Sequence, residues 1–435
     1  MNIESFKNQK LINLKDKDEN GRIIAYTFIN NIQIIGRNQF YPNILLYQNQ
    51  NKNNVNNNDN NYNLIINPYD EKVMSLNKET FYDNNVYQNK INKIENSNII
   101  EEDVFFFIYN FDNYYHFLYD TIPYLYTYLE LKKENPTIKL LLQYPNKDKK
   151  DFYKFNTDFL YKIVVPEDVV IHQENNIYKK IFVSTSLTHG GLSNSPPRKE
   201  IYDIFKLLKK NINLDNIEEK YKQNKFKNIY VSRRTWLNND KSNIGTDYTS
   251  RRKMITENEL VEQLKKHYFE EIFAENLNSD EKIYLFSNAE KICGSIGGGM
   301  ANLLFSHKET KSYIIVSPYF LDINYRFKFS LENTNIQYFN ETEVFKKNNS
   351  KYSSYIRVKI SNSENIHFNK IGEIIEFNNN INKYTIALSN NDVAGFNNQI
   401  EFQHILFDNN DFQCLDSGLN SPYTFNYQNL INKFE

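Results

Sequence analysis

The sequence predicts an α/β protein with two Rossmann-like, doubly wound units facing each other. First, buried-strand runs alternate with helical segments over residues 101–215, and again over 225–348. Second, a polar, lysine-rich stretch at 215–227 lies between them and is typical of a linker. Third, residues 350–435 hold short apolar segments split by Asn and Gly turns, which predicts a small C-terminal β appendage.

The region before the first unit, residues 1–100, is predicted to be β-rich and to belong to that unit. Short apolar runs alternate between residues 22 and 47, as in strands. Residues 48–63 are mostly Asn with Lys, Gln and Asp, and they have too little apolar surface to join a core. We expect an Asn-rich surface loop there.

The periodicity also places individual elements. In the first unit we expect strands at 104–109, 138–142, 169–171 and 181–183, and helices at 114–130, 152–163 and 201–211. In the second unit we expect strands at 228–232, 271–273, 291–294 and 314–316, helices opening at Thr256 and Ser279, and a short helix over 300–305. Glu259 follows Thr256 at the spacing of a capping box.

Composition excludes several classes of protein. The chain has 435 residues, with 52 basic and 53 acidic side chains, and this balance argues against a nucleic-acid-binding protein. Two cysteines exclude a disulfide framework and a cysteine-based zinc site, and the histidines show no metal-ligand spacing. Because no apolar run reaches about 18 residues and the start lacks a signal-like segment, we expect a cytoplasmic protein without a membrane span.

Residue usage also tells us which residue types carry information. Asn, Lys, Ile and Tyr are abundant, whereas Gly (12) and Pro (10) are scarce, a bias typical of a very AT-rich genome. A cluster of glycines, arginines or a well-placed histidine is therefore more informative here than another Asn or Lys.

The first candidate for chemistry is the segment from Asn113 to Asp120, where a predicted strand gives way to a helix. Ligands bind at the carboxyl end of the strands in a doubly wound sheet. His116 and Asp120 are four residues apart and so share one helix face. A carboxylate in that position orients an imidazole and increases its basicity, as a general base requires. A histidine tied to a helix neighbour for structural reasons is the alternative.

The second candidate is a pair of arginine clusters. Arg233 lies at the end of a predicted strand, and Arg252 follows in the next basic segment. Planar guanidinium groups match phosphate oxygens and stabilise a departing diphosphate. A solvated basic loop explains the same residues equally well.

The third candidate is the glycine-rich turn from Gly294 to Asn302, which includes Gly297, Gly298 and Gly299. Glycine lets a ligand approach the backbone, and the start of a helix offers unpaired N–H groups to a phosphate. A packing turn is the alternative. The spacing is neither GxGxxG nor GxxxxGK[ST], which disfavours NAD binding and a P-loop.

In order, these segments resemble glycosyltransferase family 61. That family shows N-x-x-H-x-x-x-[DE], then S-R, then R-[RK]-[IM]-x-N-E-x-E-L, then G-x-H-G-A-G-L-T-N-[LIM]-[LI]-F. The corresponding stretches here are 113–120, 232–233, 252–260 and 294–305, and the likeness covers about residues 100–320.

The resemblance implies a GT-B fold and an inverting, metal-independent transfer from a nucleotide-sugar donor to a glycan or glycoprotein hydroxyl. It implies that His116 is the base, with Asp120 as its orienting partner and Asn113 on the acceptor side. The remaining implied roles concern the donor, and they fall on Arg233, Arg252, Glu257, Gly297, Gly298, Gly299 and Asn302. No metal or other cofactor is expected, and the composition suggests a large DNA virus or another AT-rich source.

Two positions depart from the family pattern. Ile296 replaces the family's His before Gly-Ala-Gly, and Thr256 replaces its Asn before Glu. A non-catalytic carbohydrate- or nucleotide-binding protein of the same fold is therefore one alternative. A structural protein of a glycan layer is another.

Overall fold

The computed structural model describes most of the chain. The described residues are 2–5, 10–36, 44–48, 62–66, 98–109, 111, 113–145, 150–173, 175–188, 196–234, 252–318, 335–345, 357–388, 403–414 and 422–435. Most of the predicted Asn-rich loop, residues 49–61, lies outside them. The chain divides into two compact units, Met1–Ile212 and Asn213–Glu435.

The first unit is built on one mixed sheet. Its strands are β1 (Asn2–Ser5), β2 (Ile12–Lys15), β3 (Ile24–Gly36), β4 (Ile44–Gln48), β5 (Tyr62–Ile66), β6 (Asn98–Ile100), β7 (Val104–Phe106), β8 (Lys139–Leu142), β9 (Val169–Ile171) and β10 (Asn176–Ser184). The strand order is β1-β5-β4-β3-β10-β7-β8-β9, with β2 paired to β3 and β6 to β10.

One half of this sheet is parallel. β7 pairs in parallel with β8 and with β10, and β8 pairs in parallel with β9. The chain runs from β7 to β8 and β9 on one side, and then places β10 on the other side of β7. The direction of winding therefore reverses between β7 and β10, and open α/β sheets bind ligands outside the carboxyl ends of the strands at such a switch point.

The first unit also contains helices. They are α1 (Tyr114–His116), α2 (Leu125–Glu134), α3 (Lys154–Leu160) and α4 (Ile201–Lys210). The single helix predicted over 114–130 is interrupted by a π-helical turn, Phe117–Thr121, and a 3-10 turn, Ile122–Tyr124. Pro123 lies in that 3-10 turn and has no N–H for a regular helix.

The second unit contains a parallel sheet. Its strands are β11 (Asn228–Val231), β12 (Glu270–Ile272), β13 (Lys291–Ser295), β14 (Lys311–Ile315) and β15 (Ile336–Phe339). Its main helices are α5 (Glu257–Lys266) and α6 (Ser279–Asn288). The predicted short helix near residue 300 is a 3-10 helix, Gly298–Phe305. Residues of the predicted linker form 3-10 turns, and Asn213 and Asn216 donate to the Asp280 carboxylate of α6 at 2.9 Å each.

The order of this sheet, β12-β11-β13-β14-β15, contains a second switch point. The chain goes from β11 to β12 on one side and then returns to place β13 on the other side of β11, and all neighbours are parallel. The segments that follow β11 and β13 therefore flank a position suited to a ligand.

The region after β15 has two parts. Strands β17 (Arg357–Ile360), β18 (Ile371–Asn378), β19 (Lys383–Leu388), β20 (Gln403–Phe407) and β21 (Phe412–Cys414) form an antiparallel sheet in the order β20-β19-β18-β17-β21. This sheet has a hydrophobic core of its own. It corresponds to most of the predicted appendage.

The last residues of the chain pack elsewhere. β16 (Thr342–Val344) pairs with β22 (Tyr423–Phe425), and α7 (Gln428–Ile431) follows. Tyr423, Phe425 and Leu430 are buried in the same core as residues of β11 and α5. The β17–β21 sheet is thus an insertion between the paired strands β16 and β22.

The contact with β22 also explains why the predicted capping box was wrong. Thr256 precedes α5 but makes no side-chain cap bond to that helix. Its Oγ1 instead donates to the Phe425 carbonyl at 3.2 Å and accepts from the Phe425 N–H at 3.1 Å. The Thr256 hydroxyl is therefore bonded to the backbone of a residue far along the chain and does not cap α5.

The structure confirms a mixed α/β protein with parallel sheets. Within the described ranges, no helix is long and apolar enough to cross a membrane.

Candidate functional site

A polar cluster follows β7 in the first unit. Asn113 is the N-cap of α1, and its side chain accepts a hydrogen bond from the His116 N–H at 3.2 Å. Asn113 therefore fixes the start of the turn that carries His116. The π-helical turn that follows contains Asp120 and keeps its side chain on the face of His116. Such π-turns are frequent at functional sites.

His116 and Asp120 form a close pair. Nδ1 of His116 lies 2.6 Å from Oδ2 of Asp120, and the two side chains are 21% and 6% exposed. The Thr188 hydroxyl donates to the other oxygen, Oδ1, at 3.1 Å. Both carboxylate oxygens thus have partners, and the carboxylate is fixed against the imidazole.

This geometry determines which imidazole nitrogen can take up a proton. A carboxylate only accepts hydrogen bonds, so Nδ1 of His116 carries the proton that faces Asp120. The neutral ring then has its lone pair on Nε2, so Nε2 is the atom that can accept a proton from a neighbouring group. The pair therefore has the arrangement of a general base with an orienting carboxylate.

Thr188 was not among the residues predicted from the sequence. It follows β10, whereas His116 follows β7, and these strands flank the switch point of the first sheet. A signal was present: the strand ending at Ser184 runs directly into Thr185 and Ser186, with Thr188 two residues later. Hydroxyl groups directly after a buried strand lie at the ligand-binding edge of a parallel sheet.

The two neighbouring arginines after β11 have different environments. Arg234 forms a two-point ion pair with Glu271, with N–O distances of 2.9 and 2.5 Å, and it also donates to Asn258. Arg233 instead extends its guanidinium over Gly297, since a Cβ atom there would lie 2.2 Å from Nη1. Arg233 thus lies beside the glycine-rich turn, whereas Arg234 links the loop after β11 (the β11 loop) to β12.

The structure places Gly294 and Ser295 of the predicted glycine-rich segment in β13, so the glycine-rich turn itself, Gly297–Gly299, follows β13 on the other side of the switch point. Gly299 packs against the Val231 side chain, and a Cβ atom there would lie 3.0 Å from Val231 Cγ1. The side chain of Asn302 is buried, and its Nδ2 donates to the Gly299 carbonyl at 2.9 Å. Asn302 therefore supports the turn from within. Gly298 is half-buried at the start of the 3-10 helix.

We expect Gly297→Ala to displace the Arg233 side chain while the protein stays folded. The added methyl group would overlap the end of the flexible Arg233 side chain and displace its guanidinium. For the nucleotide site that the sequence predicts at this turn, the affinity should then fall about tenfold, which corresponds to one charge-assisted hydrogen bond and is measured by titration calorimetry. Gly294→Ala is the contrasting variant, since its Cβ would lie 3.0 Å from the Val231 carbonyl oxygen and should cost stability, about 1–3 kcal/mol. Equal affinity in Gly297→Ala and the wild type would contradict the expectation.

Glu257 holds the β11 loop in place through hydrogen bonds. It is 3% exposed, and its Oε1 accepts from the Arg233 N–H at 2.8 Å, the Tyr230 hydroxyl at 2.8 Å and the Ser232 hydroxyl at 3.3 Å. Burial raises the pKa of Glu257, and these three donors act in the opposite direction. Glu257 thus holds the backbone from which Arg233 projects.

Arg252 is held near this loop by the C-terminal strand. Its φ of 58° lies in the left-handed region, which is uncommon for residues other than glycine, and the side chain is buried. The backbone carbonyl of the next residue, Lys253, accepts a hydrogen bond from the Tyr423 N–H at 2.9 Å. The Tyr423 hydroxyl donates to Ser295 Oγ at 2.9 Å, directly before the glycine-rich turn.

Three charged side chains of this site affect the pKa of the buried Tyr423 hydroxyl. Burial raises its pKa to about 12, and the charges of Arg233 and Arg252 lower it while that of Glu257 raises it. Two arginines predicted separately therefore lie within electrostatic reach of one hydroxyl, at the carboxyl edge of the parallel sheet.

Glu275 is a further charged group at this edge that the sequence reasoning missed. It follows β12 in a 3-10 turn, Ala274–Asn276, and its Oε1 is inaccessible to solvent. Burial raises the pKa of Glu275 to about 7, although the charges of Lys282 and Arg233 act to lower it. The signal was a lone acidic residue just after a predicted strand.

Glu275 predicts a pH dependence of stability. Its folded-state pKa lies above the ordinary value, so its contribution is complete at low pH and is lost as pH rises through about 7. Between pH 5 and pH 9 we expect wild type to lose up to about 3 kcal/mol relative to Glu275→Gln, measured by urea unfolding. Glu290 is an exposed carboxylate at the opposite edge of the sheet, so the stability of Glu290→Gln should change with pH as that of wild type does. Parallel curves for wild type and Glu275→Gln would contradict the assignment.

The position of the family's histidine is apolar here. Ile296 is 2% exposed, and its N–H donates to the Ile315 carbonyl at 2.9 Å, extending the pairing of β13 with β14. No group of three or more His, Cys, Asp or Glu side chains arranged to hold a metal ion occurs among the residues the structure describes.

The fold is that of an α/β protein, and its two polar clusters follow strands that flank the two switch points. Comparison with protein-family models matches residues 114–313 to the family Glycosyltransferase 61, a range of rather less than half of the chain. That range contains His116, Asp120, Arg233 and the glycine-rich turn. A search of the curated proteins found no match. The family match supports a glycosyltransferase activity in general.

Proposed function

We propose that the chain is an inverting, metal-independent family 61 glycosyltransferase. It moves a hexosyl or pentosyl group from a nucleotide-sugar donor to a hydroxyl of a glycan or glycoprotein acceptor. The observation that carries the proposal is the family match, whose range includes the clusters around His116 and Arg233. The GT-B arrangement implied by the resemblance, the cytoplasmic location and the AT-rich, viral source belong to the proposal as expectations.

In the proposed reaction the first unit supplies the base. Nε2 of His116 takes the proton of the acceptor hydroxyl, whose oxygen forms a bond to the anomeric carbon of the donor sugar. Asp120 stabilises the resulting imidazolium, and Thr188 keeps Asp120 in place. Attack opposite the leaving group inverts the anomeric centre in a single displacement.

The second unit is proposed to bind the donor. The bond between the anomeric carbon and the diphosphate oxygen breaks, and its electron pair leaves with the diphosphate. Arg233 and Arg252 would stabilise that charge, and the backbone of the glycine-rich turn, Gly297–Gly299, would lie against the phosphates. Glu257 and Asn302 act by holding these groups, through the bonds to the Arg233 N–H and the Gly299 carbonyl.

A thermal-shift screen tests the donor class. The purified protein is heated with UDP, GDP or dTDP and with the corresponding nucleotide sugars, each with and without EDTA. A ligand at 100 times its Kd should stabilise the folded state by about 2.7 kcal/mol. We expect one nucleotide to raise the Tm equally in both conditions. A shift that EDTA abolishes would overturn metal independence, and no shift with any nucleotide would overturn the proposed donor site.

One observation favours a second candidate, a non-catalytic carbohydrate- or nucleotide-binding protein. The histidine that the family pattern places before the glycine-rich turn is replaced by the buried Ile296. If that histidine is required for transfer, this chain binds its ligand without turnover. Release of free nucleotide from the stabilising nucleotide sugar, in the presence of acceptor glycans, separates the two functions.

A further inference from the structure

The position of Glu275 relates it directly to the glycine-rich turn. Its neighbour Ala274 lies against Gly299, since a Cβ atom at Gly299 would be 3.4 Å from Cβ of Ala274. Glu275 follows β12, which pairs with β11, and Arg233 follows β11 at the same edge. The three segments after β12, β11 and β13 therefore lie side by side, with Glu275 on the β12 side.

One oxygen of the Glu275 carboxylate, Oε1, is buried without a hydrogen-bond partner, while the carboxylate accepts from the backbone N–H of Glu275 itself. No donor in the described part of the chain reaches its Oε1, which is closed to solvent. Arg233 and Lys282 act on Glu275 through their charge. Buried polar atoms are almost always hydrogen-bonded, so an exception at a ligand-binding edge points to a donor supplied by the ligand.

The chemistry of a carboxylate restricts what that donor can be. In its ionised form, which predominates at pH 8, the Glu275 carboxylate does not take a phosphate group as a direct partner, because both groups accept hydrogen bonds and both are negative. A hydroxyl group donates, and a nucleotide sugar carries hydroxyls on either side of its diphosphate, on the ribose and on the transferred sugar.

On the basis of the proposed function, we propose that Glu275 is a specificity residue of the donor site whose Oε1 accepts a hydrogen bond from a sugar hydroxyl of the bound nucleotide sugar. Arg233 and the glycine-rich turn take the diphosphate, and Glu275 takes the adjoining ring. The raised pKa of Glu275 agrees with a carboxyl group that is incompletely paired until the ligand arrives.

Titration calorimetry with three proteins tests this inference. Wild type, Glu275→Met and Glu275→Gln are titrated at pH 8 with the stabilising nucleoside diphosphate, its 2′-deoxy or ribo counterpart, and its nucleotide sugar. Met has the length of Glu without a comparable acceptor, whereas Gln keeps a carbonyl oxygen. We expect Glu275→Met to lose about tenfold to a hundredfold in affinity for one of these ligands, and Glu275→Gln to lose less.

The ligands distinguish the two sources of the hydroxyl. If the ribose supplies it, wild type prefers the ribonucleotide over the deoxynucleotide, and Glu275→Met shows no preference. If the transferred sugar supplies it, Glu275→Met binds the nucleoside diphosphate normally and loses affinity only for the nucleotide sugar. Glu290→Gln, at the other edge of the sheet, should match wild type throughout.

The outcomes separate this inference from the proposed function. Wild-type affinities in Glu275→Met for all three ligands would overturn the role of Glu275 alone. Absence of binding by wild type would overturn the donor site and this inference with it. The Tm without ligand at pH 8 shows whether Glu275→Met is folded. Because the substitution removes a buried, unpaired charge, Glu275→Met should be at least as stable as wild type.

Discussion

His116→Ala should lower kcat by about 10²- to 10⁴-fold while the Kd of the nucleotide sugar stays within about twofold of wild type. The imidazole is the only group assigned to proton removal, and the groups assigned to the donor lie in the second unit. Truncation removes the base without disturbing those groups. Steady-state kinetics with the acceptor, together with calorimetric titration of the donor, measure the two quantities separately.

The same substitution at an exposed histidine provides the control. His307→Ala lies in a solvent-exposed turn, and its kcat should equal that of wild type. Asp120→Asn should fall between the two, because it keeps the shape of the side chain but weakens stabilisation of the imidazolium. A kcat of His116→Ala within threefold of wild type would show that the His116–Asp120 pair is structural.

Arg233→Ala should weaken binding of the nucleoside diphosphate by about tenfold to a hundredfold, the loss of a charge-assisted hydrogen bond. The substitution leaves the backbone N–H that donates to Glu257 in place, so the β11 loop keeps its support. We expect little change in the ligand-free Tm. Titration calorimetry at two salt concentrations measures the affinity, and the salt dependence should be smaller in Arg233→Ala than in wild type.

The adjacent arginine is a matched control with the opposite profile. Arg234 pairs with Glu271 and donates to Asn258, so Arg234→Ala should cost about 1–3 kcal/mol of stability. Its affinity for the nucleotide should stay within about twofold of wild type. If both variants lose affinity to the same extent, the distinction between a ligand-binding and a structural arginine is wrong.

Local patterns in the sequence predicted the parts of the protein that depend on neighbouring residues. Most strands of the parallel sheet, and of the parallel half of the mixed sheet, coincide with continuous apolar runs in the sequence. The i, i+4 spacing of His116 and Asp120 predicted a contact that the structure shows at 2.6 Å. In both cases the relevant atoms lie within one helical turn or one strand.

Contacts between distant residues could not be predicted in this way. Thr188 is 68 positions from Asp120 and reaches it only because β10 lies beside β7. The sequence likewise gave no means to separate Arg233 from Arg234, since the difference depends on Glu271 across the sheet. The predicted capping box at Thr256 failed for the same reason: a backbone partner 169 positions away competes for the hydroxyl.

The contact between β22 and the loop around Arg252 affects how the protein folds during its synthesis. Residues 423–425 pair with a loop made some 170 residues earlier, after the separate β17–β21 sheet has been completed. Contacts between distant residues carry a large loop-closure entropy and form late. During translation, α5 and β11 therefore lack their packing partner β22 until residues 423–425 have left the ribosome.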